Sequence, residues 1–346
     1  MAVLCRTTVL VYCARVSSVL SSSRCCVPVE VTRPSPLGPY YYSTSPPQLS
    51  PLQNVKDKYE RFLQHRFPHF YIYYNTFTKG LRQLLEDFRE TRRIKRRMSV
   101  QNLQFRDLPY REMEKVLMFH KDMAKAVLLL LISLPPFAIC LVFTLMYLFP
   151  RQLLFHHFWT TQQQTEFKKL YHQHRTQKHQ EIIRGIARTV PHIQEWTARC
   201  RLLALCNRVQ NGVHPSVSDL HALLDHFSGP PLAISAMEAR HMRSLCSQIF
   251  LTPWLPAVLL RLRLRWKAEE LLYLDRALQN LGLFQLSNAE IQQACYFRGI
   301  NPSSLSSSQC KDWLHQWLQL SSKVKESETS LLLHCMALLS VNYPNP

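Results

Sequence analysis

The sequence predicts an all-α protein with a single membrane-spanning helix. Residues 126–149 form an apolar stretch without any Asp, Glu, Lys, Arg or His. Elsewhere the apolar residues recur at helical spacing, and no run alternates as a strand would. Only 7 of the 346 residues are glycine and 19% are charged. This composition disfavours both a turn-rich β protein and a disordered chain.

The apolar stretch is long enough to cross a bilayer as a helix. Its 24 residues would extend about 36 Å, against a hydrocarbon core of about 30 Å. A buried helix of a soluble domain is the alternative, although apolar runs in such helices are usually shorter. Pro135 and Pro136 remove two amide donors near the centre, which predicts a kink. Such a kink is compatible with two alternatives. The helix is a simple membrane anchor that tolerates the prolines, or it is a broken helix that helps to form an oligomeric conduit.

The first 45 residues have the composition of a mitochondrial transit peptide. They contain four arginines, many Ser and Thr residues, and Glu30 as their only acid. A secretory signal is the alternative, but its apolar core would be short and flanked by arginine. Proline-rich segments around residues 34–47 then indicate a linker, so residues 1–45 are predicted to be the transit peptide and linker.

Residues 46–125 are predicted to be a basic, aromatic-rich helical region. Pro68 is expected to separate two helices within it. A strongly basic run follows, which is either a solvated helix end or a contact for anionic lipid such as cardiolipin, or for nucleic acid. The candidate lipid contacts are Arg92, Arg93, Lys95, Arg96 and Arg97.

Residues 150–346 are predicted to form an all-helical domain. Proline, glycine and capping residues divide this part of the chain into helices, including a capping box formed by Ser287 and Glu290. The predicted helices are 161–178, 179–190, 194–210, 216–227, 235–250, 257–281, 291–298, 308–320 and a last one ending at residue 339.

The sequence contains no motif that points to catalysis. Phosphate-binding glycine loops, nucleophile elbows, zinc-protease motifs and calcium loops are all missing. The 11 cysteines are scattered without CxxC pairs, as expected of buried thiols in a reducing compartment. We therefore expect no enzyme, no cofactor and no metal site. The net charge of +19 instead favours anionic partners.

Two sequence segments resemble the leucine-zipper/EF-hand transmembrane (LETM) family. The first is LPYRE at residues 108–112, followed by PF at 136–137 and LFP at 148–150. The second is QLSNAEIQQACYFRGI at residues 285–300, followed by two WL pairs at 313–318. Together the match extends over about residues 105–340. The resemblance implies a single span in the mitochondrial inner membrane and a matrix domain associated with mitochondrial ribosomes. The long members are also linked to cation/proton exchange.

The chain departs from the long family members inside the span. Those members carry an acid after the PF pair, whereas Ala138 and Ile139 stand here. A proton-coupled carrier would lack its obvious intramembrane relay. The coiled coil and EF-hand of the long members have no counterpart, so calcium sensing is not expected.

These observations favour an adaptor in the mitochondrial inner membrane with its C-terminal domain in the matrix. It would bind mitochondrial ribosomes or assembly factors and support mitochondrial structure and respiration. A component or regulator of cation/proton exchange is the alternative function, and the outer membrane or nucleus are alternative locations. Other inner-membrane proteins and a second copy of the chain are further candidate partners. Candidate phosphate contacts are Arg261, Arg263, Arg265, Lys267 and Arg298.

Overall fold

The computed structural model describes residues 61–133 and 158–343, except positions 63, 67 and 160. The regular structure in these ranges is entirely helical, so the predicted all-α class is confirmed. The α-helices of this part of the chain are α1 (Pro68–Gln101), α2 (Tyr110–Ser133), α3 (Thr161–Thr189), α4 (Trp196–Gln210), α5 (Val217–His221), α6 (Ala239–Gln248), α7 (Ala257–Leu281), α8 (Asn288–Arg298), α9 (Ser307–Ser321) and α10 (Ser330–Leu338).

Several predictions concern residues outside the described ranges. The transit peptide and linker, residues 1–45, lie there, as does most of the predicted span with Pro135 and Pro136. Residues 126–133 of the span are described, as the last turns of α2. No helix in the described ranges combines the length and the hydropathy needed to cross a membrane.

The ends of the later helices follow the predicted signals. α7 has the predicted limits and stops at Gly282, whose φ of +83° is left-handed and favours glycine. The capping box before α8 is present: the Ser287 hydroxyl accepts a hydrogen bond from the Glu290 amide at 3.3 Å. In return, the Glu290 carboxylate accepts one from the Ser287 amide at 2.8 Å.

The helices between residues 161 and 250 differ from the prediction. The two segments predicted at 161–190 form one helix, α3, because Ile182, Ile183 and Ile186 continue its buried face without a break. The helices predicted at 216–227 and 235–250 are shorter. Between α5 and α6 the chain forms only a short 3-10 helix at Leu224–Phe227, and Ser330 of α10 donates hydrogen bonds to the carbonyls of Phe227 and Leu232. Backbone acceptors satisfied in this way do not require a helix.

Helices from both sides of the apolar stretch share one hydrophobic core. Tyr110 and Met113 of α2 are 2% and 0% exposed and belong to the same cluster as Ile182 of α3 and Leu272 of α7. Helix α7 runs through this cluster and contacts α2, α6, α9 and α10. The predicted regions 46–125 and 150–346 thus contact each other in the described residues. The region boundaries and the single span between them stay predictions, because most of the apolar stretch lies outside the described residues.

Helices α1 and α2 form an antiparallel hairpin. Arg97 pairs with Glu112, and Glu90 pairs with Lys115. Lys95 Nζ lies 3.0 Å from His120 Nε2. Two residues of the predicted lipid-binding run, Lys95 and Arg97, therefore connect α1 to α2.

A buried ion pair joins four helices at the centre of the domain. Asp275 of α7 and Arg298 of α8 are 0% and 1% exposed. The Arg298 Nε donates to Asp275 Oδ1 at 2.8 Å, and the Trp317 indole of α9 donates to Oδ2 at 2.8 Å. Arg298 Nη1 donates to the carbonyl of Ala294, and the phenol of Tyr110 from α2 contacts the same guanidinium. Both charges are thus paired and hydrogen-bonded, as buried charges must be.

Replacing Asp275 with Asn should strongly destabilise this domain. The change leaves Arg298 as an unpaired buried charge, and we expect the free energy of unfolding to fall by about 3–5 kcal/mol. The measurement is thermal unfolding of the full chain in detergent, followed by circular dichroism. The double variant D275L/R298M removes both charges and should recover most of the loss. Equal losses in the single and double variants would contradict this account.

Candidate functional site

A basic groove of about 330 Å³ lies between α3 and α6. Its walls carry five basic side chains and two acidic ones, and Pro253 and Trp254 also line it. An excess of positive charge in a concave surface attracts phosphate and other anions. The charged lining residues are Lys178, Glu181, Arg184, Arg188, Glu238, Arg240 and Arg243.

The basic residues of the groove differ in how they are engaged. Lys178 pairs with Glu181 at 3.3 Å, and the Ser244 hydroxyl also donates to Glu181. The four arginines are exposed, and no carboxylate of the described residues lies within ion-pair distance of them. The guanidinium groups on the two facing helices are therefore available to an anion. Planar guanidinium groups suit bidentate contacts with phosphate.

A close contact between α3 and α6 forms the floor of the groove. Gly185 of α3 faces His241 of α6, and a Cβ atom at position 185 would lie 1.9 Å from His241 Nδ1. Glycine therefore allows the two helices to approach this closely. The His241 ring stacks on His334 of α10 at 5.0 Å, with 2.8 Å between their Nε2 atoms.

The histidines beneath the groove are held neutral. Burial lowers the pKa of His241 to about 3 and that of His334 to about 4. His334 Nδ1 lies 2.7 Å from the Ser330 carbonyl, so it carries the proton and donates. The His334 Nε2 then accepts from His241 Nε2. Burial and the nearby Arg175 also lower the pKa of His179, on α3, to about 3.

The basic residues predicted on α7 do not form a free cationic cluster. Arg265 pairs with Glu269 at 2.9 Å, and Lys267 pairs with Glu270. Arg261 and Arg263 are half-buried on the same helix. The carboxylates of Glu269 and Glu270 therefore neutralise part of the charge of Arg265 and Lys267. Phosphate binding by the basic residues of α7 stays a prediction.

Arg298 is not a surface contact, which corrects the prediction made from the sequence. It is 1% exposed and pairs with Asp275 at 2.7 Å. Although burial alone would lower the pKa of Arg298, the carboxylate of Asp275 raises it above its usual value. Its position near the C-terminus of α8 suggested a surface patch, but its role in the structure is to complete the buried ion pair.

The predicted lipid contacts on α1 are only partly free. Arg92, Arg93 and Arg96 are exposed, whereas Lys95 and Arg97 contact α2. Lipid binding by the exposed three stays a prediction, and the kink at Pro135 and Pro136 lies outside the described residues.

The arginines of the groove were missed in the sequence, although their spacing carries a signal. Arg184 and Arg188 are four residues apart and Arg240 and Arg243 three apart, so each pair shares one face of its helix. The spacing does not reveal that the two faces meet. Their proximity depends on Gly185, whose role is visible only once α3 is packed against α6.

Most of the described part of this chain matches a known family. The family model described as LETM1-like, RBD matches residues 108–338. The match covers more than half of the chain, so the chain belongs to the LETM1-like family and the resemblance seen in the sequence is confirmed.

Three relatives illustrate the range of similarity. LETM1 domain-containing protein 1 of Xenopus tropicalis is 50% identical over 289 residues, which is 84% of this chain and 82% of that protein. The protein of the same name from Homo sapiens is 46% identical over 289 residues, or 84% and 80% of the two chains. A mitochondrial proton/calcium exchanger protein of Drosophila melanogaster is 26% identical over 137 residues, covering 40% of this chain and 14% of that protein.

Acidification should destabilise the domain through its buried histidines. A histidine has a pKa of about 6.5 when unfolded, so the unfolded chain takes up protons first as the pH falls. Stability is therefore retained above about pH 6.5 and lost toward the folded pKa of His179, about 3. Between about pH 6.5 and 5, this one residue should cost roughly 2 kcal/mol.

The variant H179L tests this expectation. Both ring nitrogens of His179 lack a hydrogen-bond partner, so leucine removes the titration without breaking a described hydrogen bond. Thermal unfolding of the full chain should show a smaller loss of stability between neutral and acidic pH. The exposed His192 gives the control variant H192Q. An unchanged pH profile for H179L would refute the expectation.

Proposed function

We propose that this chain is a mitochondrial, membrane-associated adaptor that holds the mitochondrial ribosome. In this proposal the groove between α3 and α6 binds phosphates of ribosomal RNA. Membership of the LETM1-like family supports the general role, and the relatives give the mitochondrial location. The inner membrane, with the helical domain in the matrix, is the location that we propose.

The observation that carries this proposal is the set of four exposed arginines on two facing helices. Arg184, Arg188, Arg240 and Arg243 line one groove, and neutral histidines lie beneath it. Phosphate contacts of this kind supply most of the sequence-independent affinity for nucleic acid and position it on the protein. The groove therefore fits the backbone of an RNA strand better than a small neutral ligand.

Binding should be strongly dependent on salt if phosphates are recognised. With about four phosphate contacts, affinity should fall roughly 50-fold between about 50 and 200 mM salt. The measurement is co-migration of the full chain, in detergent, with purified mitochondrial ribosomes on a density gradient. The variant R240E/R243E should lose co-migration at the lower salt concentration.

A matched control separates the groove from net charge. The variant K311E/K323E removes the same charge from two exposed lysines outside the groove and should retain co-migration. A third variant, R261E/R265E, tests the contacts predicted from the sequence on α7. Retained binding by R240E/R243E, or equal losses in it and K311E/K323E, would overturn the groove as the ribosome contact.

The remaining partners are part of the same proposal. The apolar stretch 126–149 would associate the chain with the membrane, and Arg92, Arg93 and Arg96 are offered as contacts for anionic lipid such as cardiolipin. Assembly factors, other inner-membrane proteins and a second copy of the chain are further candidates. Support of mitochondrial structure and respiration would follow from holding ribosomes close to the membrane.

A second candidate function is cation/proton exchange or its regulation. It rests on the similarity to the Drosophila exchanger, which extends over 14% of that protein. The test is calcium and proton flux into proteoliposomes that contain the purified full chain. Flux above that of protein-free vesicles, unaffected by R240E/R243E, would favour this candidate over the adaptor.

A further inference from the structure

A stripe of exposed apolar side chains lies along the first half of α7 and the turn before it. Trp254, Val258, Leu262 and Trp266 recur every four residues and are 87%, 70%, 41% and 58% exposed. We call these four residues the α7 stripe. The opposite face of the helix, with Leu260 and Leu264 at 0% exposure, packs in the core. The stripe is thus a second apolar face of α7. An exposed apolar face of this kind indicates a contact with a partner or a membrane.

Basic residues border the α7 stripe on both sides. At 100° per residue, half-buried Arg261 and exposed Arg265, which also pairs with Glu269, fall on one edge of the stripe and half-buried Arg263 on the other. No acidic residue occurs between positions 254 and 268. A helix with tryptophan and leucine on one face and arginine along its edges is typical of a helix lying in a lipid interface.

The stripe lies toward the end of the domain at which α2 ends and α3 begins. Helix α2 runs antiparallel to α7: its start, at Tyr110, is near Asp275, and His120 is within electrostatic range of Glu270. From there α2 continues for 13 residues to Ser133, while α7 extends back to its start at Ala257. Both helices therefore run toward the same end of the domain.

The chain also re-enters the described structure at this end. Lys125 Nζ of α2 lies 5.3 Å from the ring of Trp159, which precedes α3. Tyr171, in the first half of α3, packs against Phe250 at 5.2 Å, four residues before Trp254. The end of α2 and the start of α3 thus meet, and the helical part of the α7 stripe lies toward the same end of the domain, while Trp254 also borders the groove.

We propose that the α7 stripe, with Arg261, Arg263 and Arg265, rests on the surface of an anionic membrane. The occupant is identified by where the uncharged residues 126–149 attach to the domain, and by the basic edges of the stripe. Lipid fits both features, because it offers an apolar interior beneath negatively charged headgroups. This inference rests on the membrane association proposed above but not on ribosome binding, which uses the arginines of the groove. Since Trp254 also lines the groove, V258E/L262E, which leaves it in place, is the variant that separates the two.

Tryptophan quenching by lipid tests this contact in the full chain. The chain is reconstituted into nanodiscs of brominated phosphatidylcholine with phosphatidylserine. Trp159, Trp254 and Trp266 are the tryptophans at this end of the domain, while Trp313 and Trp317 are buried. The variant W254F/W266F should therefore lose about two-thirds of the quenching, and V258E/L262E should lose a similar share.

The control is W196F. Trp196 is 72% exposed but follows the C-terminal end of α3, at the far end of the domain, so its removal should leave quenching unchanged. Replacing phosphatidylserine with brominated phosphatidylcholine alone should weaken the quenching of Trp254 and Trp266. Quenching in W254F/W266F equal to that of the unaltered chain would overturn the lipid contact.

The outcomes separate this inference from the proposed function. If only the Trp159 signal is quenched, the chain enters the membrane but the α7 stripe does not touch it. If no tryptophan is quenched, the membrane association itself fails. Self-association in light scattering that is lost in V258E/L262E, without quenching, would assign the stripe to a second copy of the chain. Co-migration with ribosomes is measured separately and should be unaffected by V258E/L262E.

Discussion

The carboxylate of Asp275 is fully buried and therefore needs an ion-pair partner and hydrogen-bond donors inside the domain. The surrounding helices supply both. Arg298 and Trp317 each engage one of its oxygens, which fixes α8 and α9 relative to α7. Tyr110 contacts the same guanidinium and thereby ties α2 to this centre. An unpaired charge here would be very costly, so the ion pair selects one arrangement of four helices. The apolar residues around it would tolerate several arrangements.

Helices α3 and α6 pack in the same core, and their outward faces form the basic groove. Beneath the groove the histidines are neutral, and Arg175 donates to the carbonyls of Gln248 and Tyr296. The positive charge of the groove itself is carried by exposed arginines of both helices. The four arginines of the groove and the α7 stripe are exposed, so both can be altered without removing a buried side chain.

Local sequence signals predicted the helices well and their packing poorly. The limits of α7 and the capping box of Ser287 depend on neighbouring residues and were correct. The break predicted inside α3 was wrong, since no local signal outweighed its continuous apolar face. Arg298 was placed on the surface because its partner Asp275 is 23 positions away and pairing at that distance leaves no mark in a single sequence. The groove escaped prediction for the same reason, because it exists only where two helix faces meet.

The sharing of one core by α2 and the later helices imposes an order on the assembly of the domain. Arg111, at the start of α2, pairs with Glu290 of α8, and these residues are 179 positions apart. During synthesis α2 is complete long before the helices that cover Tyr110 and Met113. Its core-facing side chains therefore stay exposed to solvent until almost the whole chain has been synthesised. Contacts between such distant residues slow folding and increase the risk of aggregation. A chaperone that shields α2 during this interval would act on folding yield and leave the finished structure unchanged.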